Sequence, residues 1–133
     1  MVHDNIIVSY SVDFEAKMLT MKTLYHTDKI FEETDVIFTG YLAHYFDNEM
    51  KGSTIFDIEE CPLDLFLEHE SKLLTEKKKY AWPINYQSEN ELVKLFQTHE
   101  YKVFDVSSSY GLCGFIFAKH MNIVVNGQPL YDG

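Results

Sequence analysis

Val36-Ile37-Phe38-Thr39-Gly40-Tyr41-Leu42-Ala43-His44-Tyr45-Phe46 alternates along its whole length. Val36, Phe38, Gly40, Leu42, His44 and Phe46 fall on one side; Ile37, Thr39, Tyr41, Ala43 and Tyr45 fall on the other. A period of two marks a strand, because successive side chains of an extended backbone point to opposite faces. Asp47-Asn48-Glu49-Met50-Lys51-Gly52 follows, polar and ending in glycine, and reads as a turn. Beyond it Thr54, Phe56 and Ile58 alternate with Ile55, Asp57 and Glu59. The expectation is a β-hairpin spanning these residues, with carboxylates on its wet side.

Upstream, Ile6, Val8, Tyr10, Val12 and Phe14 oppose Ile7, Ser9, Ser11 and Asp13. Leu19, Met21, Thr23 and Tyr25 resume the alternation after Glu15-Ala16-Lys17, which predicts an earlier hairpin. Residues 27–35 are polar and read as a loop. Downstream, Pro62 suits the first turn of a helix, Asp64 lies near that helix's positive end and Lys77, Lys78 and Lys79 near its negative end. Leu63, Phe66, Leu67, Leu73 and Leu74 recur at helical spacing. Ser88 and Glu91 fit a capping box that opens a second helix with Leu92, Val93, Leu95 and Phe96 on its apolar side. Residues 103–106, 112–118 and 123–125 complete the pattern as further strands. Together these elements predict a single α+β domain over residues 1–125. It is an antiparallel sheet of six to seven strands with two helices packed on one face, followed by a loose tail over 126–133.

The chain has 133 residues and a formal net charge of -10. Residues 28–70 carry twelve carboxylates against two lysines, Lys29 and Lys51, so the imbalance sits in that third of the chain. All eleven cations are lysine; no arginine is present to offer a bidentate fork to phosphate. Such a field repels nucleic acid and anionic membrane and attracts basic surfaces. The first five residues lack the basic and apolar regions of a signal peptide, and the apolar run 110–118 is too short to span a bilayer. Cys61 and Cys113 read as free thiols, and the expected location is the cytoplasm.

His44 stands three residues before Asp47, a pair that would suit base and orienter, or two metal ligands, if the chain turns at Phe46-Asp47. In a continuous strand the two point apart. Glu68-His69-Glu70 fans around a helix and does not converge on one ion. Gly111-Leu112-Cys113-Gly114 matches no nucleophile elbow, and no phosphate-binding glycine loop is present. These residues therefore define no catalytic, cofactor or metal set. The aromatics Tyr41, Tyr45 and Phe46 interleave with Asp47, Asp57, Glu59 and Glu60, the composition of an anchor patch with an acidic rim.

Two stretches carry a resemblance: Phe38 to Phe46 with Ile55-Phe56-Asp57-Ile58-Glu59-Glu60, and Ser108-Ser109-Tyr110-Gly111-Leu112-Cys113-Gly114-Phe115. They resemble small uncharacterised cytosolic proteins of low-GC Gram-positive bacteria, some of them similar to immunity proteins that neutralise a cognate toxin. The resemblance implies no catalytic residue. The leading expectation is a non-enzymatic acidic binding module for a basic protein partner such as a toxin nuclease. Tyr41, Tyr45, Asp47, Asp57, Glu59 and Glu60 would form the contact. The alternative is a small metal-dependent or hydrolytic enzyme centred on His44 and Asp47. A third reading pairs two copies through a free sheet edge into a homodimer.

Overall fold

A computed structural model describes residues 2–125 and 128–132. It is an α+β fold in which one antiparallel sheet holds the strands β1 (Ile6–Asp13), β2 (Met18–His26), β3 (Phe31–Thr39), β4 (Ala43–Asp47), β5 (Thr54–Cys61), β6 (Lys102–Tyr110), β7 (Cys113–Ala118) and β8 (His120–Val125). A ninth strand, β9 (Gln128–Asp132), pairs with the outer edge of β8, so most of the expected tail is a sheet edge. The remaining tail residues, Asn126, Gly127 and Gly133, lie outside the described residues. The spatial order is β4-β7-β6-β5-β1-β2-β3-β8-β9.

That order overturns the expected acidic hairpin. The long alternating run breaks at Gly40, which adopts φ 63° where the Lys119 side chain would lie 2.6 Å from a Cβ. Only glycine fits both the left-handed backbone and the close approach. The run therefore supplies two strands instead of one: β3 reaches back to Phe31 through the presumed loop, and β4 pairs with β7 at the sheet edge. β4 and β5 are not neighbours, because β7 and β6 lie between them. Residues 48–53 make this crossing with ease: six residues extend to about 20 Å, and three strand spacings need about 14 Å.

The sheet curls on itself. Phe38 of β3 meets Phe104 of β6 at 5.4 Å between ring centroids, and Phe46 of β4 meets Tyr10 of β1 at 5.0 Å. Inside the curl lies one core, with Leu19, Met21, Val36, Phe38, Ile55, Val106, Ile116 and Met121. On the outer side of β4, β7 and β6 lies a second, built from Ala43, Val103 and Phe117 with the helices' Phe66, Leu67, Leu74, Leu92 and Phe96. The helices do cover one face, as expected, but there are three: α1 (Leu63–His69), α2 (Ser71–Lys77) and α3 (Glu89–His99), with a 3-10 turn over Lys78–Tyr80. The first expected helix is cut at Glu70, whose φ of -116° is not helical. Ser88 caps α3 as its sequence predicts, its hydroxyl accepting from the Glu91 amide at 3.2 Å.

Bulges correct two face assignments. One between Ile7 and Ser9 lets Ile7 and Tyr10 both turn inward, leaving Ile6 and Val8 exposed. Two at the start of β5 bury both Ile55 and Ile58 and leave Phe56 outside. Each inserts an unpaired residue and so reverses the alternation beyond it.

Candidate functional site

Strand register assembles the acids differently from the expected ribbon. On β5, Asp57, Glu59 and Cys61 alternate outward, away from Ile58 in the core. Glu59 stands directly across from Asp105 of β6, and Asp57 from Ser107. Asp105 pairs in turn with Phe115 of β7, and Cys113 of β7 pairs with Asp47 of β4. Asp57, Glu59, Asp105 and Asp47 therefore share the outer face of β5-β6-β7-β4, beside the helical layer. Asp105 is the member that sequence reasoning missed; its only signal was its polarity within an otherwise apolar strand.

No carboxylate of this face is held in an ion pair among the described residues. Among the described residues, no lysine lies within 4.0 Å of any of these four carboxylates; the lysine ion pairs are Lys22–Asp35 at 3.2 Å and Lys102–Glu60 at 3.7 Å. Partial burial, and then the Glu59 charge, push the Asp105 carboxyl above its usual range. Burial raises both thiols too; the acids add to it, Asp105, Asp64 and Glu59 at Cys61, and Asp47 and Asp105 at Cys113. Both thiols are thereby held protonated, the opposite of what a nucleophile requires.

A carboxyl whose folded-state pKa is raised contributes stability that is complete below its unfolded value and is lost as pH rises through the folded one. Asp105→Asn is therefore expected to stabilise the fold at pH 7.5 and to change it little at pH 3. Urea denaturation at the two pH values measures this. An equal shift at both would place the effect in packing instead of charge.

The other expected contact residues separate. Tyr41 is 7% exposed, part of the inner core, and its hydroxyl bonds His44 Nδ1 at 2.7 Å, so it is not a surface anchor. Tyr45 is half-buried on the outer face, its hydroxyl donating to Asp47 at 3.2 Å and its ring beneath Lys77 Nζ at 5.6 Å. The Asp47 hydrogen bond holds its phenol up, with Glu76 and Glu70 adding to the effect. Glu60 alternates to the opposite side of β5 and takes Lys102. Glu59 faces Asp105 directly, Asp47 joins the group only through Cys113, which both it and Asp105 influence, and Tyr41 and Glu60 are not part of the face.

His44 and Asp47 point to opposite faces of β4, so the proposed base–orienter pair is not assembled. His44 instead sits inside the curl against Tyr41, Tyr10 and Phe46. Burial lowers its pKa, with Glu49 working weakly against that. Glu49 accepts a hydrogen bond from the Tyr10 hydroxyl; burial and that bond push the Tyr10 phenol up to about 12. Among the described residues no group of three or more His, Cys, Asp or Glu side chains is placed to hold a metal ion. No described helix is long and apolar enough to cross a membrane. No protein-family model matches the chain, and neither a curated protein nor a solved structure does.

Proposed function

We propose that this chain is a non-enzymatic acidic binding module whose outer face on β5, β6, β7 and β4 receives a basic protein. The observation that carries this reading is the Glu59–Asp105 pair, like charges set opposite each other across two strands with no lysine in ion-pair range among the described residues. Like charges directly opposite destabilise a sheet. Carboxylates that serve only solubility have no reason to face one another, whereas a cationic partner relieves this repulsion on docking. Asp57 and Asp47 extend the face to either side, and Tyr45 supplies an aromatic edge, fixed in place by Asp47.

The mechanism is occlusion. Carboxylates take the places that the partner's lysines and arginines reserve for phosphate. In its most specific form the partner is a toxin nuclease and the module an immunity-type inhibitor, acting from the cytoplasm. Association is steered, so it is fast at low ionic strength and slows as salt shortens the range of the field.

The test uses the whole protein immobilised for capture from its native lysate, with surface plasmon resonance on whatever basic protein is retained. Asp47→Asn/Asp57→Asn/Glu59→Gln should cut the association rate roughly tenfold or more at low salt, with a smaller effect on dissociation. A control that removes equal charge elsewhere, Glu32→Gln/Glu33→Gln/Glu60→Gln, should leave the rate within about twofold. Equal losses in the two variants would mean that net charge, and not this face, governs the contact.

A further inference from the structure

β1 and β5 are sheet neighbours in name more than in length. Their register is a single pair, Ile6 with Thr54, reinforced by Ile7 N–H donating to Ser53 O at 2.8 Å. Past that point β1 runs alongside residues 49–53, the connection that leads into β5, and a cleft of about 670 Å³ lies there. Its walls are apolar: Ile6, Val8, Met50 and Leu112, of which Val8 is 63% exposed and Met50 49%. At one end stand the Tyr10 hydroxyl and the Glu49 carboxylate, hydrogen-bonded to each other. The Tyr10 ring is braced edge-on by His44 at 5.6 Å and Phe46 at 5.0 Å.

Apolar walls with a few convergent polar groups, at this volume, describe a small-molecule site. We infer that this cleft binds a small organic ammonium carrying an apolar chain. Charge selects the class. Glu49 spends one lone pair on Tyr10 and keeps others for a ligand N–H, since a carboxylate accepts at about four positions. Lys51 also borders the cleft but makes no ion pair with Glu49 among the described residues. The chain of the ligand covers Val8 and Met50, and its ammonium meets the carboxylate beside the aromatic cluster. This site uses none of the side chains of the acidic outer face and stands or falls independently of it.

The probes are n-hexylamine, hexanoate and 1-hexanol, identical in chain and different in head group, titrated into the full protein and followed by NMR of the Val8 and Met50 methyl groups. Hexylamine should bind about tenfold more tightly than hexanol, the margin of one charge-assisted hydrogen bond, and hexanoate more weakly than either. Glu49→Gln, an exposed loop substitution, should abolish the preference for amine while leaving hexanol binding in place. The control Glu32→Gln/Glu33→Gln should keep the preference. Hexanoate binding as tightly as hexylamine would assign the cleft to Lys51 and overturn the inference. So would an amine preference that survives Glu49→Gln, or one that the control variant removes.

Discussion

Gly114→Ala is expected to detach β4 from the sheet. Gly114 pairs with Phe46 at φ 154°, and a Cβ there would overlap the Tyr45 carbonyl oxygen and lie 2.9 Å from Phe46 Cα. Both are backbone atoms, so no rotamer change relieves the clash. The strand has to move, and with it go the β4–β7 ladder over Ala43–Asp47 and the packing of Phe46 on Tyr10. The cost is about 3 kcal/mol or more, combining backbone strain with a lost ladder. Hydrogen exchange should show the amides of 43–47 and 113–117 losing protection together. Gly52 provides the contrast. It too has positive φ, at 87°, but its Cβ would meet only Tyr110 Cε2 at 3.9 Å. Gly52→Ala should cost only the conformational penalty, about 1–2 kcal/mol. Equal effects at the two glycines would refute the steric account.

Phe117→Ala should be of similar or greater size. Phe117 is fully buried, and its ring centroid lies 5.2 Å from Phe66, 5.3 Å from Trp82 and 5.7 Å from Phe96. It is the point where α1, α3 and the connector meet the sheet. Truncation removes a ring and leaves a cavity between these elements, for a loss of about 3–5 kcal/mol. Phe117→Leu, which keeps most of the volume, should cost about 1.5 kcal/mol or less. Urea unfolding gives both values. The helical layer lies on the same side of the sheet as the acidic face, so Phe117→Ala should also weaken partner capture at temperatures where the helices loosen.

These two residues show how unevenly the fold is written along the chain. The element types are legible. The alternation at Leu19–Tyr25 and Val36–Phe38 and the Ser88–Glu91 cap act within a few residues, and each formed as its pattern predicts; the spacing of Leu63 to Leu74 gave the right element type, though as two helices broken at Glu70. The exceptions have local causes of a kind that periodicity hides. A single unpaired residue near Val8 or Phe56 reverses a strand's faces, and nothing in the side chains there announces it. The 31–35 segment looked like a loop because Glu32, Glu33 and Asp35 are charged, yet Thr34 beside them is 1% exposed and faces the core.

The candidate site was half legible for the same reason. Asp57, Glu59 and Asp47 were identifiable as an anionic group, while Asp105, which faces Glu59, comes from a strand almost fifty residues later in the chain. Tyr41 carried the same aromatic signal as Tyr45, but one is core and the other is not.

Charge balance and the kind of most elements followed from the residues alone, because both depend on neighbours a few positions apart; the strand at 31–35 and the edge strand β9 did not. Strand partnership did not. β4 could close a hairpin with β5 or cross two strands to reach β7, and local pattern permits either. The choice fell to contacts distant in sequence: a missing Cβ at Gly114, another at Gly40 and apolar faces on β7 that needed covering. That choice dismantled the acidic ribbon and, by bringing Asp105 opposite Glu59, made an acidic face in its place.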